Sequence, residues 1–310
     1  IGAALLRRLD QEGLGVSSFV ATGNKADVSG NDLLQYWEGD DATRVVVLYL
    51  ESFGNPRNFA RIARRVSGSK PVVVVKAGRA LASRQPDRGV DGRGDGFAGP
   101  TRAGSAAGRT IDAVSDALLA QTGVVRAATL DEVFDVTRLF ADQPLPAGRR
   151  VAVLSNFWGP AVLATDACVA AGLELATVSP ALERELRPRL LEGARVGNPL
   201  ELTSDAGPEQ LTDAAGALLA DPGVDALMVV HAPSLDGEVA PMARALGAVA
   251  AEHDKPVVAS FLGSPLPEGA AGAVPVYGFP EAAAHALGHV ARYAEWRSRQ
   301  TGSVPVVEGV

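Results

Sequence analysis

The sequence contains an internal duplication, because the same landmarks return in the second half in the same order and at a slowly growing separation. The matched pairs are Gly13-Leu14 with Gly172-Leu173, 23–29 with 197–203, 45–48 with 227–230, and 70–73 with 255–258. One such match would mean little, but four in a fixed order, separated by small insertions, indicate a repeated unit. The chain is therefore predicted to fold as two similar domains in tandem.

The second copy opens with a strand that the first copy lacks. The apolar run 151–155 predicts a buried strand, which is followed by the loop 156–160 and an amphipathic helix from Ala161 to about Ala171. The first copy begins at Ile1, already inside the equivalent helix and without a Met. We therefore expect this chain to be a fragment or a processed piece of a longer protein. Mass spectrometry of the full-length gene product that matched this chain residue for residue would contradict that expectation.

Composition favours a globular protein and argues against two classes of partner. Of the 310 residues, 47% are apolar, which is enough for two cores, and the scarcity of aromatic residues (5%) suits tightly packed layers of helices on sheets. A net charge of -7 argues against nucleic acid as a partner, since binding to a polyanion depends on clustered Lys and Arg. No apolar run approaches the roughly 18 residues that span a bilayer, so no membrane association is expected.

Cys168 is the only cysteine, so no disulfide can form within the chain. It lies in an Ala-rich helical pattern, which favours a buried structural thiol over a nucleophile. The absence of a disulfide framework favours a reducing, cytoplasmic location.

Short Val-rich runs alternate with helical patterns in both halves, which predicts an α/β fold with parallel sheets and helices on both faces. Strands are predicted near 16–20, 45–50, 71–76, 150–155, 173–177, 226–231, 256–260 and 274–277. Helices are predicted near 1–12, 31–38, 56–66, 107–121, 129–140, 160–171, 180–187, 207–220, 237–252 and 279–298.

Two segments interrupt this alternation. The segment 142–148 has two prolines and a glycine between a helix and a new strand, so it is interpreted as a domain boundary, with domains at 1–144 and 148–310. The segment 83–100 is rich in glycine, with interspersed Arg and Asp, and predicts a surface loop. This loop is either a tolerated insertion or a functional lid.

Ligands of open parallel sheets bind at the carboxyl ends of the strands, near helix N-termini that attract anions. Three segments meet this condition. The loop 156–160 is either an anion-binding turn or a structural one, and 22–27 is either a ligand loop or an Asn turn that caps the next helix. Glu51 directly follows a predicted strand and is a catalytic candidate, although carboxylates there also serve as helix caps or salt-bridge partners.

Several segments together resemble the NDP-forming acyl-CoA synthetases, the acetate–CoA ligase relatives of succinyl-CoA synthetase. The segments are 23–37, 45–52, 70–79, 101–135, 151–175, 197–203 and 276–297. The resemblance covers nearly the whole chain and implies two tandem flavodoxin-like, succinyl-CoA ligase-like domains. The family's CoA-binding Rossmann domain and ATP-grasp domains are not in this sequence, so the resemblance implies them as partners, in the same chain or a second one.

The resemblance also implies a reaction in three steps. Acyl-CoA and phosphate give an acyl phosphate, a histidine takes the phosphoryl group, and a mobile loop carries it to ADP. CoA or acyl-CoA, phosphate and ADP or ATP are then cofactors of the full-length protein, none of them held tightly. In the family the histidine lies between two helix N-termini and is oriented by a glutamate, which Glu51 matches. The loop with Asn156, Gly159 and Pro160 matches one helix-terminus phosphate site.

The sequence departs from the family at the histidine itself. The family's Ser-His-Thr-Gly-Ser stretch aligns with 101–105, so Arg102 stands in the histidine's position, with Gly104 and Ser105 in the phosphate-binding part. No histidine precedes His231. A neutral imidazole accepts and passes on a phosphoryl group, whereas a guanidinium stays protonated and binds phosphate without relaying it.

The four histidines have other interpretations. His231 ends a predicted strand and is either a pocket-lining or a structural residue, while His253 is expected to be solvated at a helix end. His285 and His289 have a spacing that suits a metal, but without a third ligand we interpret them as a surface pair.

Three hypotheses follow. The first is a decayed ligase core that serves as a regulatory or scaffold module, as in lysine acetyltransferases that carry such a region fused to an acetyltransferase domain. The second is a working acyl-CoA ligase with partner domains elsewhere. The third is a structural dimerisation unit, that is, a homo-oligomer.

Overall fold

The computed structural model describes residues 2–23, 28–77, 106–233, 239–263, 266–267 and 269–299, with the backbone alone for 106–112. The chain divides into two compact units, Ile1–Ala141 and Asp142–Val310. The domain limits 1–144 and 148–310 stay a prediction. Among the described residues no helix is both long and apolar enough to cross a membrane.

The first unit contains a three-stranded parallel sheet in the order β1-β2-β3. Its elements are α1 (Gly2–Gln11), α2 (Gly30–Glu38), β1 (Val46–Leu50), α3 (Pro56–Ser69), β2 (Val72–Lys76), α4 (Ala106–Thr122), β3 (Val125–Ala127) and α5 (Leu130–Asp142).

Helix α3 illustrates how local sequence builds this unit. The Oδ1 atom of Asn55 accepts hydrogen bonds from Arg57 N at 3.1 Å and Asn58 N at 3.2 Å, which caps the helix ahead of Pro56 in its first turn. The buried residues of α3 recur at helical spacing and belong to the same core as β1 and β2: Phe59, Ile62, Ala63 and Val66. Capping and apolar spacing therefore fix where α3 begins and which face it buries.

The second unit contains a larger parallel sheet in the order β5-β4-β7-β8-β9, with β6 also pairing with β4. Its elements are β4 (Arg150–Ser155), α6 (Trp158–Ala170), β5 (Glu174–Leu175), α7 (Pro180–Leu186), a 3₁₀ turn (Arg187–Arg189), β6 (Leu200–Glu201), α8 (Pro208–Ala220), β7 (Ala226–His231), α9 (Val239–Ala251), β8 (Val257–Phe261), β9 (Val276–Tyr277) and α10 (Pro280–Ser298). This order is that of flavodoxin-like, doubly wound sheets.

Alternate residues of β7 face opposite helical layers. Leu227 lies in one core with Leu218 of α8 and Leu246 of α9, whereas Met228 contacts Cys168 of α6, with Sγ and Sδ 3.3 Å apart. On this second face α6 also packs closely on α10, where a Cβ on Gly288 would lie only 2.6 Å from the carbonyl oxygen of Ala171. The predicted α/β class, with parallel sheets and helices on both faces, is confirmed.

The prediction of a strand at 16–20 was wrong. These residues are irregular, and Val16, Phe19 and Val20 are each 45–46% exposed. The equivalent strand of the second unit, β5, pairs only with β4, and in the described part of the first unit no strand occupies the place of β4. A strand without a neighbour has no partner for its backbone groups, so this segment does not become one. The short strands β3 and β6 were missed, because two or three residues are too few to show a period.

Candidate functional site

The carboxyl ends of β4 and β7 form the topological switch point of the second unit. The two strands are neighbours, and their connections leave in opposite directions, β4 toward β5 and β7 toward β8. Such a divergence opens a crevice at the carboxyl edge of a doubly wound sheet. The loop 156–160 after β4 and residues 232–233 after β7 lie at this edge.

The side chain of Asn156 fastens these two loops together. Its Nδ2 donates to the carbonyl oxygen of Ala232 at 2.7 Å, and its Oδ1 accepts from Ala232 N at 2.9 Å. Asn156 is buried, so both bonds are sheltered from water. Both ends of the amide are engaged, so Asn156 fixes the spacing of the two loops and its side chain is not available to a ligand. Only backbone N–H groups of the loop could then bind one.

The first turn of α6 presents backbone N–H groups to open space. Phe157, the residue before the helix, provides no side-chain cap, and its own N–H donates to Ser155 Oγ at 3.3 Å. Trp158 and Gly159 are exposed, and a Cβ on Gly159 would meet nothing within 4 Å. Pro160 has no N–H to satisfy. The first intrahelical bond runs from Ala161 N to Phe157 O, so the N–H groups of residues 158 and 159 have no acceptor within the helix and suit a small anion.

A guanidinium lies beside this helix start. Arg195 Cζ is 4.9 Å from the centre of the Trp158 ring, which is a cation–π distance. The backbone of Arg195 pairs with that of Glu201 in both directions, at 2.8 and 3.0 Å, and Arg195 Nε lies 3.2 Å from Glu201 Oε2. Glu201 belongs to β6, next to Ser155 on β4, so the sheet itself places this positive charge near Trp158. Sequence analysis did not identify Arg195, because Trp158 lies far from Arg195 and Glu201 along the chain and no local pattern connects them.

His231 ends β7 at the same edge but is almost wholly buried. Its ring centre lies 5.8 Å from that of Phe261 on β8. Burial lowers the pKa of His231 below its ordinary value, so the imidazole is neutral near pH 7. The ring is therefore packed as part of the sheet end rather than presented to solvent.

Residues 1–140 match the succinyl-CoA ligase like flavodoxin domain, and residues 151–291 match the Ligase-CoA domain. The chain belongs to the NDP-forming acyl-CoA synthetase family. Relatives include the acetate–CoA ligase [ADP-forming] II subunit alpha of Pyrococcus furiosus, 32% identical over 93% of this chain and 62% of the relative. The 4-hydroxybutyrate–CoA ligase [ADP-forming] of Nitrosopumilus maritimus is 28% identical over 98% of this chain and 42% of the relative.

Among solved structures, the apo form of the dinucleotide forming acetyl-coenzyme A synthetase 1 of Ca. Korarchaeum cryptofilum superposes with a TM-score of 0.81. It is 30% identical over 96% of this chain and 63% of that one. The chain thus spans less than two thirds of these members of the synthetase family. Both domain matches agree with the predicted pair of succinyl-CoA ligase-like domains.

Of the site residues predicted for a family member, Glu51 is exposed and directly follows β1. Arg102, Gly104 and Ser105 lie outside the described residues. So does most of the segment 22–27, of which the structure describes residues 22 and 23. The roles assigned to these residues stay predictions.

Asn198, in the second copy of the Gly-Asn motif, has a structural role. Asn198 Nδ2 donates to the carbonyl oxygens of Val151 and Ala176, both at 2.8 Å, and its Oδ1 accepts from Val153 N at 2.9 Å. Val151 and Val153 belong to β4, and Ala176 directly follows β5. Asn198 thus holds these strands together. Its counterpart in the first copy, Asn24, lies outside the described residues.

The remaining candidates do not form a second site in this synthetase-like chain. His253 is half-buried where α9 ends, and His285 is exposed on α10. His289 Nδ1 lies 3.0 Å from Arg292 Nη2. No group of three or more His, Cys, Asp or Glu among the described residues could hold a metal. Cys168 is buried, and burial raises the pKa of its thiol to about 12, which leaves it unreactive.

Proposed function

We propose that this chain is the two-domain part of an ADP-forming acid–CoA ligase-like protein whose phosphoryl relay has been lost. It then responds to CoA, acyl-CoA or phosphate as a regulatory or scaffold module. The sequence feature that carries the proposal is Arg102, which the resemblance aligns with the family's phosphoryl-carrying histidine. An arginine keeps its proton at any physiological pH, so it attracts phosphate but offers no lone pair for attack on phosphorus.

The positions of three of the four histidines support this proposal, while the fourth, His285, is exposed on α10. All of them lie in the second unit, from His231 onward. His231 is packed against Phe261, His289 is near Arg292, and His253 lies beside the amino ends of the strands, away from the switch point. None of these three is placed as a free, exposed imidazole at the carboxyl edge, which is what a phosphoryl carrier needs.

Phosphate binding is the part of the family's chemistry that the described residues still favour. The loop with Asn156, Gly159 and Pro160 leads into the first turn of α6, whose backbone N–H groups suit an anion, and Glu51 directly follows β1. The CoA-binding and ATP-grasp domains would come from the rest of the protein or from a partner. We also propose a cytoplasmic location and, as one setting for such a module, fusion to an acetyltransferase domain.

A phosphohistidine assay on the full-length protein tests the proposal. The protein is incubated with radiolabelled ATP, and label that is acid-labile and base-stable is counted. We expect no label in the natural protein and label in the Arg102→His variant, with Arg102→Gln as the matched control. Label in the natural protein that disappears when one of its own histidines is replaced would overturn the proposal.

An active ligase is the second candidate. It is favoured by the 32% identity over 93% of the chain to a protein named as an ADP-forming acetate–CoA ligase subunit. In that case another histidine carries the phosphoryl group, and full-length protein forms acyl-CoA from the acid, CoA and ATP. Each of the four histidines is replaced by Asn in turn, and loss of this activity in one variant, without loss of folding, would identify the carrier.

A further inference from the structure

The outward face of α3, in the first unit, carries a row of positive charges. The helix contains four arginines and no acidic residue, in a chain where acidic residues outnumber basic ones by 36 to 29, so average composition does not account for it. Arg57, Arg61 and Arg64 are exposed and recur at the i, i+4 and i+7 positions. They therefore share one face of the helix over about 10 Å. We call these three residues the arginine stripe.

The neighbours of the arginine stripe do not compensate its charge. Arg61 Nη2 donates to Asn58 Oδ1 at 3.0 Å. Arg64 Nη1 donates to the carbonyl oxygen of Gln121 at 3.4 Å. Both acceptors are neutral, and within the described ranges no carboxylate pairs with any of the three guanidinium groups. The stripe is therefore available to a negatively charged partner.

This row of charges works against the stability of α3. Like charges repel at the i, i+3 and i, i+4 spacings of a helix surface, and Arg61 has such spacings to three arginines: Arg57, Arg64 and Arg65. Arg65 differs from the stripe, because its Nη2 lies 2.8 Å from Glu38 Oε2. Arg57 also lies in the first turn, where the helix dipole disfavours a positive charge. Local choices that oppose the fold are typical of functional positions.

The equivalent helix of the second unit shows that the fold does not need the stripe. α9 follows β7 as α3 follows β1, and it likewise buries an apolar face in the core. Its only charged residue is Arg244, which is exposed. Both helices therefore meet the same packing requirement, but only α3 presents a row of positive charges to solvent.

An apolar strip lies beside the arginine stripe on α4. The contact of Arg64 with Gln121 makes α4 the neighbour of α3 on this side. Val114 and Leu118 precede Gln121 at helical spacing and share its face of α4. Val114 is 63% exposed, and Leu118 is partly buried against the core. The surface thus combines a charged row with an apolar row, which is the pattern that an amphipathic helix recognises.

We propose that the arginine stripe, with Val114 and Leu118, is a docking site for an acidic amphipathic helix of another polypeptide. Three carboxylates at the i, i+4 and i+7 positions of that helix pair with the stripe, and its apolar residues cover Val114. A polypeptide fits better than a nucleic acid or an anionic membrane, because the row is one helix wide and the whole chain carries a net charge of -7. Such docking is independent of whether the phosphoryl relay is lost.

Fluorescence anisotropy of a labelled model peptide tests the proposal on the unmodified chain. The peptide is an alanine-rich helix with three glutamates at the i, i+4 and i+7 positions and leucines on the adjoining face. We expect saturable binding of one peptide per chain, which weakens as salt is added because exposed charge pairs are screened. Arg61→Glu reverses the central charge of the stripe and should weaken binding by about tenfold or more. Arg244→Glu on α9 is the matched control and should leave binding unchanged.

A second peptide has the same composition, but its glutamates lie on different faces of the helix. It should bind at least about tenfold more weakly, because only aligned carboxylates reach the stripe. Equal binding of the two peptides, or equal loss of binding in Arg61→Glu and Arg244→Glu, would refute the proposal. Tighter binding of single-stranded RNA, or of vesicles that contain phosphatidylserine, would also refute it and assign the stripe to another class of partner.

Arg61→Gln provides the test if Arg61→Glu does not fold. It removes the repulsion within the stripe without adding a charge, so the melting temperature should not fall. Binding of the aligned peptide should still weaken, by about threefold or more. An Arg61→Gln chain that folds and binds this peptide as tightly as the natural chain would contradict docking at the stripe.

Discussion

Asn156 and Ala232 exchange a reciprocal pair of hydrogen bonds across the switch point of the second unit, at 2.7 and 2.9 Å. One residue follows β4 and the other follows β7, so a single amide side chain sets the distance between the two loops that frame the crevice. The arrangement depends on the Asn amide, in which Nδ2 donates and Oδ1 accepts from the same carbon atom. A substitution that keeps the size of the side chain but changes one of these atoms should therefore break it.

Asn156→Ala is expected to destabilise the second unit by about 2–3 kcal/mol, since two sheltered backbone groups of Ala232 lose their partners. Asn156→Asp should cost a similar amount at pH 7, because one carboxylate oxygen then faces the carbonyl oxygen of Ala232. Protonation of this carboxyl near pH 4 should recover part of the loss. Equilibrium urea denaturation at pH 7 and pH 4 measures the free energy of unfolding of both variants. Asn58→Ala, at an exposed position, is a control that should change it little. Identical behaviour of the Asp variant at the two pH values would contradict the argument.

A substitution at Gly159 can test anion binding at the start of α6 without disturbing the fold. Gly159→Asp should fold at least as well as the natural chain, because its side chain has open space and an acidic group favours a helix N-terminus by about 0.3–1 kcal/mol. The same negative charge should abolish any stabilisation by phosphate. Melting curves with and without inorganic phosphate measure this, with Gly159→Asn as the neutral control of similar size. An equal phosphate response in both variants would show that the anion binds elsewhere.

The positions of helices and long strands followed from the sequence, because apolar spacing alone decides which face can be buried. The loop 156–160 was placed at the carboxyl edge for the same reason. Two features did not follow. The segment 16–20 has the composition of a strand, but no described residue of the first unit pairs with it, and strand formation depends on pairing between segments. The contact of Arg195 with Trp158 depends on β6 lying beside β4, a pairing of two residues that leaves no periodic signal.

Arg150 and Asp225 give the second unit an acid-sensitive contact at the amino ends of its strands. Burial alone would raise the pKa of Asp225, but hydrogen bonds from Arg150 N, Nε and Nη2, at 2.9, 2.9 and 2.7 Å, outweigh it and hold the pKa below its ordinary value. The folded state therefore binds this proton less tightly than the unfolded state. The stabilisation is full above about pH 4 and is lost as the pH falls below it.

Asp225→Asn should accordingly cost about 2–3 kcal/mol at pH 7, where a charged acceptor of three hydrogen bonds is lost. The cost should shrink as the pH is lowered toward 2, since the natural carboxyl is then also neutral. Urea denaturation across this range measures the difference. Asp221→Asn, which changes a neighbouring charge that does not bond to Arg150, serves as the control. A cost that stays constant with pH would mean that the contact acts through packing alone.

Asp135 on α5 has the opposite pH dependence in the first unit. Burial first, and then the negative charges of Glu12 and Asp131, raise its pKa to about 6. The folded state binds this proton more tightly than the unfolded state, so the contribution of Asp135 to stability is most favourable below about pH 4 and is lost as the pH rises through about 6.

Asp135→Asn removes this penalty, and we expect a gain of about 1–3 kcal/mol at pH 8. At pH 4 no gain should be seen, because the natural carboxyl is already protonated in the folded state. Asp131→Asn, on the exposed side of the same helix, should change stability by much less. Urea denaturation at the two pH values decides the matter, because a gain of the same size at pH 4 and pH 8 would assign the effect to packing instead of charge.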